Sequence, residues 1–83
     1  MSYQRKKPIP ENQQRVLFVI GKKVRELRKS KGLSVEKFCS KYNLARIAYT
    51  NLEAGQNFHM TTLLTIIDCH PEVGSLKNFF QDI

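Results

Sequence analysis

Apolar residues along this chain recur at helical spacing and nowhere alternate. Val16, Leu17, Ile20, Val24 and Leu27 fall close to a 3.6-residue stripe. The stripe predicts a first helix from about Glu11 or Asn12 to about Ser30. Pro10 and Glu11 suit its start, because Pro is tolerated in a first turn and Glu complements the helix dipole. Gly32 is placed to end it in a left-handed cap. Gly21 is a weak point inside it, costing up to ~1 kcal/mol relative to Ala. Ser34 as N-cap and Glu36 in the first turn open a second, short helix. Phe38 and Cys39 face inward there, and Tyr42 follows one turn after Phe38. Asn43 then turns the chain, since Asn tolerates positive φ best after Gly. A third helix is predicted from Arg46 to about Ala54, ended by Gly55, with Ala45, Ala48 or Tyr49, and Leu52 inward. The loop Gln56-Asn57-Phe58-His59 leads to a fourth helix, Met60 to about Cys69, holding Leu63, Leu64, Ile66 and Ile67 inside. Ser75 caps a last short helix with Leu76, Phe79, Phe80 and Ile83. With no period-two segment, the fold class is all-α.

Length and charge sharpen this picture. Eighty-three residues make one domain. Residues 1–10 read as a flexible basic arm with Arg5, Lys6, Lys7, Pro8 and Pro10, and residues 11–83 as a single helical domain. Fourteen Lys and Arg against seven Asp and Glu give +7, unevenly placed. Residues 1–46 carry a net +10 and residues 47–83 a net −3. A basic half beside a mildly acidic one suggests a polyanion on one face. The longest apolar run, Val16–Ile20, is far too short to span a bilayer, and the N-terminus has no signal-peptide core, so the chain is expected in the cytoplasm. Cys39 and Cys69 form no C-x-x-C and are expected to be buried thiols. His59 and His70 are expected at a loop and a helix end, and complete no metal site at any usual spacing. No cofactor is implied. No phosphate loop and no acid–base or nucleophile set points to an enzyme.

The segment Ser34–Gly55 has a more detailed pattern. Counting from Val35, the small Cys39 is fifth, the turn-forming Asn43 ninth, and the apolar Tyr49 and Leu52 fifteenth and eighteenth. A small residue lets two helices cross closely, a turn residue allows left-handed backbone, and the later apolar pair anchors the second helix. This resembles the helix-turn-helix of the phage Cro/repressor (XRE) family, with the motif at about residues 34–53. Arg25 to Ser34 is similar to that family's end of helix one and start of helix two. Leu52-Glu53-Ala54-Gly55 matches its apolar-Glu-x-Gly ending. Thr62 to Ile67 and Ser75 to Phe80 resemble its fourth and fifth helices. Val35 stands where the family often has Gln, and Ala45 where it usually has a Ser or Thr cap.

The resemblance implies a five-helix, lambda-repressor-like DNA-binding domain whose third helix enters the major groove. Opposite Tyr49 and Leu52 lie Arg46, Ile47, Thr50 and Asn51, at i, i+1, i+4 and i+5 on one side of the helix. Arg46 suits a guanine edge or a phosphate, Asn51 an adenine edge or a phosphate, Ile47 a thymine methyl, and Thr50 either role. The start of helix two, Ser34, Val35 and Lys37, offers a phosphate site. Lys22, Lys23 and the arm Arg5, Lys6 and Lys7 add non-specific affinity. By family position, Arg28 and Glu53 form an internal ion pair. Phe79, Phe80 and Ile83 either finish the core or, as the family uses this region, form homodimer contacts. The expected function is a sequence-specific, repressor-type regulator binding double-stranded DNA, from a bacterium, phage or mobile element. The alternative is a protein-interaction module, such as an antitoxin or adaptor, whose main partner is a protein.

Overall fold

The structure, a computed structural model, describes residues 9–81. Arg5, Lys6, Lys7 and Ile83 lie outside the described residues. Five α-helices follow in order: α1 (Glu11–Ser30), α2 (Val35–Tyr42), α3 (Arg46–Glu53), α4 (Met60–Asp68) and α5 (Leu76–Phe79), with one 3-10 turn, Pro71–Val73, between the last two. No strand occurs among the described residues. The chain is all-α, and no helix among the described residues is long and apolar enough to cross a membrane.

Each junction has a local cause. Gly32 takes φ +69°, and its N–H bonds to Lys29 O at 2.9 Å while that of Leu33 reaches Arg28 O at 3.5 Å. These are the paired bonds that close a helix on a left-handed residue. Gly55, at φ +79°, repeats the arrangement after α3, with Gly55 N–H to Leu52 O at 3.2 Å and Gln56 N–H to Asn51 O at 2.8 Å. Between α2 and α3, Asn43 is left-handed (φ 56°, ψ 50°), and Leu44 N–H bonds back to Cys39 O at 2.8 Å. Ser34 Oγ caps α2 by accepting from Lys37 N–H at 3.2 Å, and Ser75 Oγ caps α5 through Asn78 N–H at 3.2 Å. Ala45 precedes α3 in extended backbone and supplies no side-chain cap.

The core is built by Ile20 and Val24 of α1, Phe38 and Cys39 of α2, Tyr49 and Leu52 of α3, Leu63, Ile66 and Ile67 of α4, and Phe79 of α5. Helix α1 crosses the C-terminal end of α3 so closely that a Cβ on Gly21 would stand 2.7 Å from the carbonyl oxygens of both Leu52 and Glu53. The apparent weak point of α1 is therefore where the two backbones meet.

The burial pattern departs from the periodic expectation at several positions. Val16 and Leu64 are exposed. None of the first nine residues of α1 is buried, and burial in this helix begins at Ile20. In α4 the buried direction is set by Leu63, Ile66 and Ile67, which leaves Leu64 turned to its side. Ala45 is exposed and Ala48 half-buried, so α3 is anchored by Tyr49 and Leu52. Cys39 is buried as expected, but Cys69, the C-cap of α4, is exposed.

His70 lies just past the end of α4, as expected, and is fully buried. Its ring stacks on Phe38 at 5.6 Å and lies 4.8 Å from Tyr42. Its Nδ1 lies 2.6 Å from Ile66 O, and since a carbonyl only accepts, Nδ1 carries the proton. Nε2 has no hydrogen-bond partner among the described residues. This histidine therefore works as an aromatic core residue joining α2 to the end of α4.

Candidate nucleic-acid interface

Helix α3 has one side fixed in the protein and the other open. Tyr49 and Leu52 are completely buried, whereas Arg46, Ile47, Thr50 and Asn51 are all exposed, Ile47 at 77%. The four sequence-identified positions thus stand together on one side. Five residues of helix rise about 7.5 Å, so this row spans roughly two base-pair steps. Thr50 Oγ1 donates to Ile47 O at 3.0 Å, which ties down its hydroxyl proton and leaves the oxygen's other lone pair open.

The underside of α3 is held by a polar cluster. Arg28 donates from Nε to Glu53 Oε2 at 2.9 Å, from Nη2 to Glu53 Oε1 at 3.1 Å and from Nη1 to Leu33 O at 2.8 Å. One guanidinium thereby links α1, the entry to α2 and the end of α3 with a two-pronged geometry that Lys cannot reproduce. The buried Tyr49 hydroxyl donates to the same carboxylate. Burial alone would raise the Glu53 carboxyl. The hydrogen bonds from Arg28 and Tyr49, with the charges of Arg28 and Arg25, outweigh it and hold the group below its ordinary value. Burial pushes the Tyr49 hydroxyl well above its usual range, and the bond to Glu53 adds to this, so it stays a donor. Hydrogen bonding to Glu53 likewise raises Arg28. Arg28 is occupied by this structural task.

The other sequence-identified residues divide by position. Ser34 and Lys37 are exposed and Val35 half-buried at the start of α2. Ser34 Oγ occupies the Lys37 N–H, so the N–H groups of Val35 and Glu36 are those that helix geometry leaves without a partner in the first turn. Glu36 sets a negative charge beside them. Lys22 is exposed, while Lys23 is half-buried with Nζ 5.8 Å from the centre of the Phe79 ring. Phe79 is only 6% exposed and belongs to the monomer's core, and Phe80 is half-buried edge-on against it at 5.4 Å.

A feature that the sequence presented only as a loop adjoins the open side of α3. Ala48 and Asn51 line a notch of about 200 Å³ with Asn57, Phe58 and His59. The chain reverses at Gly55 and runs back beside α3, bringing these amides and the imidazole next to Asn51. The Gly55 turn was the signal available for this placement. A second missed contact supports the same turn. Gln14 Nε2 donates to Gly55 O at 2.7 Å, and the Phe18 ring packs on Gly55 so closely that a Cβ there would meet Cδ1 at 2.5 Å. Among the described residues no group of three or more His, Cys, Asp or Glu is placed to hold a metal ion.

No protein-family model matches the chain, and no curated protein or solved structure matches it significantly.

Proposed function

We propose that the chain is a sequence-specific double-stranded DNA-binding transcriptional regulator of the repressor type, on a lambda-repressor-like fold, with α3 as its major-groove helix. The observation that carries this reading is the division of α3. Two fully buried residues and a three-helix polar clamp hold one side, while Arg46, Ile47, Thr50 and Asn51 stand exposed in a row on the other. That row offers a forked donor, an apolar contact, a hydroxyl and an amide, which are the chemistries needed for guanine, a thymine methyl and adenine. The left-handed Asn43 between α2 and α3 supports the comparison with a helix-turn-helix, as does the clamp between Arg28 and Glu53. Lys37 and the arm residues supply charge for phosphates, and a homodimer would present two α3 helices to two half-sites. Such a protein would work in the cytoplasm of a bacterium, on the nucleoid.

Fluorescence anisotropy with labelled duplexes at about 50 and 200 mM salt tests the reading. The wild type should bind at low salt and weaken steeply at high salt. Arg46→Ala should lose about 1–3 kcal/mol on the preferred sequence and much less on unrelated duplex. Equal loss on both would reduce Arg46 to a phosphate contact.

A second reading is favoured by one observation. Ile47, 77% exposed, is the most exposed large apolar side chain among the described residues, and neither Val35 nor Ala45 adds a polar group beside it. An apolar centre of this kind suits a protein partner, as in an antitoxin or adaptor. No duplex binding at about 50 mM salt would favour it.

A further inference from the structure

The first buried residue of α1 is Ile20; in Glu11–Val19 before it, Gln14 and Phe18 pack on the Gly55 turn while Glu11 and Arg15 are exposed. Phe18 is 57% exposed. Its ring packs on Gly55 and also lines a hollow of about 350 Å³ with Ile9, Glu11, Gln14 and Arg15. An open apolar ring held in one place beside a hollow is a surface built for contact.

The charges around it identify the occupant. Glu11, Arg15, Phe18 and Lys22 follow at i, i+4, i+7 and i+11, a seam about 60° wide along one side of α1. Laid antiparallel on a second copy, with the two-fold axis level with Val16 and Leu17, this seam complements itself. Glu11 of each copy then falls opposite Lys22 of the other, and Arg15 opposite Phe18. Each contact occurs twice, as a closed two-fold requires. The first pairs opposite charges, and the second sets a guanidinium over an aromatic face. Within one chain Glu11 and Arg15 meet only at 3.7 Å with both side chains largely exposed, so both remain available. An acid and an exposed ring are out of place on a surface meant for phosphates. The other apolar candidate, α5, has already given Phe79 to the core.

We propose that this seam of α1 is a self-association surface on which two copies pair antiparallel through Glu11, Arg15, Phe18 and Lys22. The pairing does not depend on the DNA-binding reading, though it would couple two α3 helices if that reading holds. Two crossing helices of this length bury an area at or below about 1,200 Å², so the dimer is of the weak, transient class.

The test is sedimentation equilibrium on the full chain over a range reaching several hundred micromolar, with circular dichroism melts as the folding control. All the charge changes fall on exposed positions. The wild type should show a concentration-dependent mass rising toward two copies. Glu11→Lys alone and Lys22→Glu alone should each weaken association at least about tenfold, because the two-fold doubles every reversed pair. Combining Glu11→Lys with Lys22→Glu should restore it to within about threefold, since the same pairs re-form with exchanged signs. A mass of one copy throughout overturns the proposal, as does a dimer indifferent to the single changes or one the double change fails to rescue. Half-site duplex binding by the wild type alone separates the two ideas, because Lys22 is also expected to add affinity for duplex. Binding without swap-sensitive dimers removes only the pairing, and swap-sensitive dimers without binding remove only the DNA reading.

Discussion

Replacing Gly21 with Ala sets two effects of opposite sign against each other. In an ordinary helix interior the change stabilises by up to ~1 kcal/mol, because Ala restricts the unfolded chain and Gly does not. At this position the added Cβ would stand 2.7 Å from two carbonyl oxygens, short of ordinary contact by about 0.7 Å. Those oxygens belong to the backbone of Leu52 and Glu53 at the end of α3, and no rotamer change can move them aside. The helices must separate, and separation loosens the Arg28–Glu53 clamp and the packing of Leu52 together. Overpacking of this kind costs about 1–3 kcal/mol. The net expectation is a loss of about 1–2 kcal/mol. In a domain of this size that lowers the melting midpoint by roughly 5–15 °C. Thermal and urea unfolding followed by far-UV circular dichroism measure it directly. A midpoint equal to or above the parent's would mean that α1 and α3 do not meet at Gly21.

Three further outcomes follow from particular contacts. Ala45 precedes α3 in extended backbone with no side-chain cap, so Ala45→Ser should stabilise by about 0.5–1.5 kcal/mol, read as a raised urea midpoint with unchanged slope. The Glu53 carboxyl lies lower in the folded chain than its ordinary value of 4.5; its contribution is therefore complete above that value and is lost as pH falls through the folded one. Glu53→Gln should thus be less stable than the parent at neutral pH and lose less stability between about pH 6 and 3, and parallel pH profiles would contradict the clamp. Cys69 is exposed and Cys39 buried, so a thiol reagent should label one cysteine per native chain rapidly and the second only in denaturant; two fast equivalents would show that Cys39 is not protected.

What the sequence revealed and what it concealed follow one physical division. Local signals were readable. The 3.6-residue period located α1 and α4, Ser34 and Ser75 announced caps, and the left-handed demand at residues 32, 43 and 55 showed in Gly32, Asn43 and Gly55. The outward row of α3 was readable too, because Tyr49 and Leu52 fix its inward direction. Long-range closeness was not. Nothing near Gly21 in sequence reports that α3's carbonyls will press on it, so it looked like a weakness. His70 was legible as a helix-end residue, but not that its ring completes an aromatic group with Phe38 and Tyr42 from a distant helix. Val16 belongs to the apolar stripe by period, but a stripe does not say where the core stops. The notch beside Asn51 depends on the chain doubling back after Gly55, a tertiary event that a loop's composition leaves open.

The exposed row of α3 is proposed to read duplex DNA. Selection of bound duplexes from a random pool, run in parallel with the wild type and with Arg46→Ala, tests it most directly. The account predicts an enriched sequence for the wild type, with one guanine position whose preference disappears in the variant. A wild-type pool that emerges no different from the input would contradict it.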